Sequence, residues 1–253
     1  MPTAGQEPIF HHDPCGDGTH VMAIEYPLPG LSITDEIKSI LDPWLLQFVG
    51  LEGSAAHAVL TRHWENIGDS CLFSLRDYLL QFTASSIILH ENEGWLVMTD
   101  PTLPNAKYIS SVGDAWFLAP PPDTEILHQR LEAFGLQGIK GLSSFFLYFN
   151  GLREYLPGCA GYFFKPNEWQ YLASLGWENC QGYDYWRNAV MFWHAQNGDH
   201  VLLNPSGEMG WYVLELNKVV HFMDNFPDFV SYFARHHIEN RQCFDAWATV
   251  LGG

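Results

Sequence analysis

The stretch MFWHAQNGDHVLLNPSGEMGWYVLEL, residues 191–216, consists of short apolar runs separated by two tight-turn sequences. Asn197-Gly198 is the strongest short signal for a two-residue type I′ hairpin turn, and the sequence from Asn204 to Gly207 suits a type I turn. The flanking runs are short and rich in β-branched and aromatic residues: NAVMFWHA, HVLLN, WYVLEL and VVHFM. The stretch therefore predicts a meander of antiparallel strands.

Apolar residues at helical spacing follow the meander and predict a helix that lies across it. Asn225 is a suitable N-cap and Pro227 suits the first turn. The residues of the apolar face are Phe226, Phe229, Val230, Phe233 and Ala234. His236 and His237 are expected at the end of this helix, where protonated imidazoles interact favourably with the helix dipole.

The residues upstream of the meander predict three more helices. The first begins at Asp123 or Thr124 and ends at Gly135, and the second ends at Asn150-Gly151. A short third helix is capped by Asn167 and ends at Gly176. Together with the meander, these helices predict an α+β fold with a mixed, mainly antiparallel sheet flanked by helices.

The amino-terminal part predicts helices and one hairpin. Residues 32–48 have helical spacing, which Pro43 should kink or split, and a second helix starts at Asp69 or Ser70. The segment SSIILHENEGWLVMTD is typical of two strands joined by a turn at residues 91–94. Prolines 120–122 mark a boundary, so we expect an amino-terminal region, 1–112, of uncertain independence and an α+β domain, 113–253.

Charge and composition restrict the classes of partner. The chain has 253 residues, 47% hydrophobic residues and a formal net charge of −17. This charge disfavours binding to nucleic acid and to anionic membranes, and it favours a basic protein partner. The sequence has no secretory signal pattern and no apolar run of membrane-spanning length, so we expect a cytoplasmic protein with unpaired cysteines.

The carboxy-terminal half carries four short motifs in order. They are LEAFG at 131–135, FFLYFNGL at 145–152, the strand-turn-strand segment MFWHAQNGDHVLL at 191–203, and DNFPDFVSYF at 224–233. In this order they resemble the SUKH superfamily, which contains fungal cell-wall-assembly regulators and many bacterial immunity proteins. The resemblance covers roughly residues 123–237, and Gly141-Leu142 stands where the family usually has Leu-Pro.

The resemblance implies a SUKH-like fold and a role in binding proteins rather than in catalysis. For bacterial members the implied partner is a toxin domain, often a nuclease. Because a nuclease surface that holds nucleic acid tends to be basic, an acidic binder can occlude it by charge complementarity. An intracellular regulatory scaffold of the same fold is the first alternative.

An unrecognised hydrolase or metal enzyme is the second alternative. His11, His12, Cys15 and His20 are donors that zinc accepts, but their spacing fits no established zinc pattern. The sequence contains no G-x-S-x-G, H-E-x-x-H or Walker motif. We therefore predict no cofactor, no metal site and no catalytic residues.

The predicted partner-binding surface lies in the opening stretch. Its residues are Trp193, Asp199, His200, Glu208 and Glu215. Asp199 lies in a turn, where we expect its side chain to be exposed, whereas burial is the favoured interpretation for Trp193. Turns at one end of the sheet could group some of the acidic residues, although a set of separate solvated charges is the favoured interpretation.

Overall fold

The computed structural model describes residues 9–12, 22–28, 31, 35–90, 93–102, 115–156, 159–195 and 197–240. Helices and antiparallel strands make up the described chain, which confirms the α+β prediction. The chain forms two compact units, each built from alternating segments of the sequence. In the described residues, no helix combines the length and apolar character needed to cross a bilayer.

The first unit is drawn from Met1–Asn66, Leu79–Pro121 and Leu152–Pro157. Its strands pair antiparallel with their sequence neighbours: β1 (Ile9–His12), β2 (Met22–Pro27), β3 (Thr83–His90), β4 (Glu93–Thr99), β5 (Ala115–Leu118) and β6 (Arg153–Leu156). Its helices are α1 (Asp35–Ile40), α2 (Pro43–Leu46) and α3 (Gly53–Glu65). The predicted hairpin is confirmed as β3 and β4, while residues 91–92 of its turn lie outside the described chain.

The split predicted at Pro43 is confirmed. Helix α1 ends at Ile40 and α2 begins at Pro43, where a missing backbone N–H costs nothing because it would have no helical partner. The Asp42 carboxylate caps α2 by accepting a hydrogen bond from the Trp44 N–H at 2.7 Å. Proline therefore ends one helix and begins the next.

Helix α3 was not predicted from the sequence. Its buried residues Ala56, Leu60 and Trp64 are four positions apart and share one side of the helix, which packs against β3. The signal was weak because its single glycine, two histidines and threonine dilute the apolar pattern. The division predicted near residue 112 lies outside the described residues and stays a prediction.

The second unit is drawn from Ile67–Tyr78, Pro122–Gly151 and Gly158–Gly253. Its helices are α4 (Phe73–Leu79), α5 (Thr124–Ala133), α6 (Leu142–Phe149), α7 (Tyr183–Trp186) and α8 (Phe226–Asn240). Its strands pair antiparallel in sequence order: β7 (Cys159–Phe163), β8 (Val190–Ala195), β9 (His200–Leu203), β10 (Met209–Val213) and β11 (Lys218–Met223). The predicted meander is confirmed as β8 to β11.

Helix α8 lies on the meander as predicted. Asn225 caps it, because its side-chain oxygen accepts the Asp228 N–H at 2.9 Å. Phe226 and Phe229 are fully buried and contact the Phe192 ring of β8 at centroid distances of 5.5 and 5.9 Å. Burial of each phenylalanine contributes about 2–3 kcal/mol, so these contacts fix the helix on the sheet.

One local prediction in this unit is wrong, and another is confirmed in part. The single helix expected from Asn167 is two separate 3-10 turns, Pro166–Glu168 and Leu172–Leu175. Helix α8 continues to Asn240 in the described chain, and of the two histidines expected at its end, His237 lies in the last turn. Its ring is fully buried, 4.5 Å from the Phe233 ring and 5.8 Å from the Tyr78 ring.

Candidate functional site

The turns at one end of the meander form the candidate site. The β8–β9 turn and the β10–β11 turn lie at the same end because alternate turns of an antiparallel meander share an end. We call this surface the hairpin end and define it as residues 197–199 and 214–217. The β9–β10 turn, which carries Glu208, lies at the opposite end.

The β8–β9 turn differs from the predicted type I′ turn. The Gly198 N–H donates to the Ala195 carbonyl at 2.9 Å, and the Ala195 N–H donates to the Asp199 carbonyl at 2.9 Å. Gly198 has a φ of +89°, in the left-handed region that glycine tolerates. The loop therefore has three residues and closes on a left-handed glycine, a common alternative to the two-residue turn.

Asp199 joins the two turns of the hairpin end. One carboxylate oxygen accepts the Leu214 N–H at 2.9 Å, and the other accepts the Trp211 indole N–H at 3.2 Å and the Asn197 amide at 3.2 Å. The predicted exposure of Asp199 is wrong, since the residue is 1% exposed. Each hydrogen bond to a carboxylate contributes about 1.5–3 kcal/mol, which offsets the cost of burying the charge.

Trp193 and His200 lie in the interior rather than on a surface. Burial of Trp193 is confirmed, and its ring lies 5.8 Å from that of Trp211. His200 is buried with its Nδ1 atom 3.2 Å from Nδ1 of His194. Both side chains therefore support the meander in this conformation and are shielded from a docking protein.

The two histidines are held in their neutral forms. Burial, together with the charge of His194, lowers the pKa of His200 to about 3. Burial also lowers the pKa of His194, although the Asp199 carboxylate opposes this effect. One imidazole must donate and the other accept across their short contact. In the described residues no group of three or more His, Cys, Asp or Glu side chains is arranged to hold a metal ion.

The zinc donors considered in the sequence cannot be placed together. His11 and His12 contribute backbone to β1, while their side chains, Cys15 and His20 lie outside the described residues. The expectation that these residues form no metal site is therefore untested and stays a prediction.

The grouping of acidic residues is partial. Asp199 and Glu215 belong to the same end, and Glu215 is exposed. Glu208, at the other end, accepts hydrogen bonds from the Tyr185 hydroxyl at 2.5 Å and the Ser206 hydroxyl at 2.7 Å. These two donors, led by Tyr185, lower the pKa of Glu208. Glu215 is thus the acidic residue that the hairpin end presents to solvent.

Two exposed leucines flank Glu215. Leu214 is 48% exposed and Leu216 is 51% exposed. The run WYVLEL predicts a strand to its last residue, but β10 ends at Val213, so the two leucines lie in a turn that the apolar pattern did not indicate. Two residues signal a turn at this point. They are the acidic Glu215 and Asn217, whose residue type tolerates the left-handed φ of +45° found here.

The turn that carries the leucines is held by several hydrogen bonds. Asn217 donates its N–H to the Leu214 carbonyl at 3.1 Å and accepts the Gln181 N–H at 2.9 Å on its own carbonyl. Its side-chain oxygen accepts the Tyr212 hydroxyl at 3.2 Å. With the Asp199 bond to Leu214, these contacts fix both ends of the turn. The hairpin end therefore offers two apolar side chains and one carboxylate in a preorganised arrangement.

Comparison of this chain with models of known families, with curated proteins and with solved structures finds no match.

Proposed function

We propose that this chain is a non-enzymatic, cytoplasmic protein-binding module of the SUKH type, whose hairpin end docks on a basic protein. A nuclease-type toxin is the partner class that the sequence resemblance favours, and occlusion of its nucleic-acid surface is the mechanism. The observation that carries the proposal is the exposed Leu214-Glu215-Leu216 turn, fixed from beneath by the buried Asp199.

Apolar anchors on a rigid turn suit protein recognition. Binding energy in protein interfaces is concentrated in a few desolvated side chains, and rigid presentation reduces the entropy lost on docking. Leu214 and Leu216 expose about half of their surfaces, so a partner can bury the remainder. Glu215 between them would meet a lysine or arginine of the partner.

The overall charge supports a basic partner. A net charge of −17 accelerates encounter with a cationic surface, and added salt screens this attraction. The expected signature is an association rate that falls as ionic strength rises, with a smaller change in the dissociation rate. The leucines contribute mainly to the lifetime of the complex.

The test is affinity capture with the full chain, followed by binding measurements on the purified partner. Leu214→Ser combined with Leu216→Ser should weaken binding at least about 100-fold, because loss of two anchors costs about 3 kcal/mol or more. Ile126→Ser is the matched control, since Ile126 is 54% exposed on α5 of the same unit. It should bind like the unaltered chain.

Three results would contradict the proposal. They are an acidic captured partner, equal binding by the leucine variant, and salt-independent association between about 50 mM and about 500 mM sodium chloride. A captured partner that binds only the first unit would instead favour the alternative of a regulatory scaffold.

A further inference from the structure

A groove in the second unit lies between the end of β11 and helix α8. It has a volume of about 750 Å³ and is open to solvent. Phe222 and Met223 of β11 and Tyr232 and Ile238 of α8 provide its apolar lining. This groove includes none of the residues of the hairpin end.

The apolar lining is anchored to the core at one end and exposed at the other. The Phe222 ring meets the Tyr232 ring edge-on at 5.7 Å and the Trp211 ring at 5.5 Å. Ile238, by contrast, is 51% exposed. An occupant could therefore bury the Ile238 side chain beside aromatic rings that are already packed on the core.

The charged residues of the groove favour a cationic occupant. Asp224 and Asp228 line it at the start of α8, and the Asp224 side chain is 88% exposed. A carboxylate oxygen of Asp224 lies 3.3 Å from Nε2 of His221, and the histidine offsets the charge of the carboxylate only when the imidazole is protonated. The Asp228 carboxylate accepts the Asn225 side-chain amide at 2.7 Å, which fixes its position.

Among the described residues of the groove there is also one cation. The guanidinium of Arg235 lies 6.0 Å from the centre of the Tyr232 ring, one helical turn from Ile238. Among the described residues that line the groove, two carboxylates and one guanidinium give a net negative charge. Anionic ligands such as nucleic acid are therefore disfavoured.

We propose that this groove binds an extended segment of a partner protein that carries an apolar side chain beside a lysine or arginine. The apolar side chain packs on Tyr232 and Ile238, and the basic group lies between Asp224 and Asp228. Small-molecule sites usually enclose most of the ligand surface, so a groove that is open to solvent fits a peptide better. The inference does not depend on the hairpin end.

The experiment uses fluorescein-labelled peptides with the full chain. The probe contains Lys-Val-Phe-Lys between glycines, and its comparison peptides contain Glu-Val-Phe-Glu or Lys-Ser-Gly-Lys. We expect saturable anisotropy changes with the first peptide at concentrations up to about 1 mM, the range of a weak single-segment contact. The comparison peptides should bind at least about tenfold more weakly, since each lacks the charge or the apolar side chain.

Two groove variants locate the binding. Asp224→Lys should weaken the lysine peptide about fivefold or more, and Ile238→Ser should weaken it by a similar factor. Glu132→Lys is the matched charge control, because Glu132 is exposed on α5, and Leu216→Ser is the matched apolar control at the hairpin end. Far-ultraviolet circular dichroism checks that all four variants are folded.

The inference is overturned if the lysine peptide does not bind, if the glutamate peptide binds as well, or if Glu132→Lys weakens binding as much as Asp224→Lys. Because Leu216→Ser leaves the groove unchanged, it should retain peptide binding while weakening capture of the protein partner. The experiments therefore distinguish a groove that does not bind the peptide from a hairpin end that does not bind the protein partner.

Discussion

Replacement of Asp199 by alanine should loosen the hairpin end and destabilise the second unit. The change removes the acceptor for the Trp211 indole N–H and the Leu214 N–H, which lie 3.2 and 2.9 Å from the carboxylate. Each buried donor left without a partner costs about 1–3 kcal/mol, while removal of a buried charge returns part of that cost. We expect a net loss of about 2–4 kcal/mol in the free energy of unfolding.

The assay should follow the second unit rather than the whole chain, because the two units could unfold separately. The Trp211 indole proton in two-dimensional NMR reports urea unfolding at this position. Exchange of the Leu214 amide hydrogen reports local opening, and Asp199→Ala should accelerate it by at least about 30-fold if the loss exceeds about 2 kcal/mol.

Glu215→Ala is the matched control, since it removes an exposed carboxylate from the same end and should change stability by less than about 0.5 kcal/mol. Asp199→Asn keeps one oxygen that can accept a hydrogen bond, but its amide group faces N–H donors that the second carboxylate oxygen had accepted. Its loss in the free energy of unfolding should therefore be smaller than that of Asp199→Ala. A loss below about 1 kcal/mol for Asp199→Ala, or an equal loss for Glu215→Ala, would refute the role of Asp199 in fastening the turns.

Three further perturbations test other parts of the meander and its turns. Burial lowers the pKa of His200 from 6.5 to about 3, so its imidazole stays neutral in the folded chain, whereas in the unfolded chain it gains a proton below about pH 6.5. The contribution of His200 to the free energy of unfolding is therefore complete above about pH 6.5 and falls by about 2 kcal/mol by about pH 5. His200→Asn should remove that part of the pH dependence in denaturant titrations, and an unchanged slope would contradict the assignment. Gly198→Ala should cost about 1–2 kcal/mol in thermal or urea unfolding, because Gly198 has a φ of +89° and an added Cβ would lie 2.6 Å from a Leu214 methyl carbon; a stability gain would rule out this turn geometry. Tyr185→Phe removes the main hydrogen bond that lowers the pKa of Glu208, so carbon-detected NMR titration should show that pKa rising toward its ordinary value, and a further decrease would be inconsistent with the contact.

Local sequence signals predicted the parts of the fold that depend on neighbouring residues. The meander follows from short apolar runs and turn residues, and α8 follows from its cap at Asn225 and its phenylalanine stripe. Helix α3 was missed because its buried face has only three apolar residues among polar and small ones. Its burial is decided by packing against β3, which is distant in sequence.

The site was harder to predict because its contacts join distant residues. The partner of Asp199, the Leu214 N–H, is 15 positions away, so its burial depends on two turns reaching the same end. Turn residues are usually solvated, which led to the wrong expectation of exposure. Leu214 and Leu216 were hidden in an apolar run whose strand ends at Val213, immediately before Leu214.

Site-specific photo-crosslinking in living cells tests most directly whether the hairpin end docks on a basic protein. Leu216 is replaced with benzoylphenylalanine, and the matched control carries the same probe in place of Ile126, which has similar exposure on another surface of the second unit. We predict that the probe at 216 crosslinks a basic protein and that Asp199→Ala reduces the yield, while the probe at 126 does not crosslink that protein. Equal crosslinking from both positions, or an acidic protein at position 216, would contradict the account.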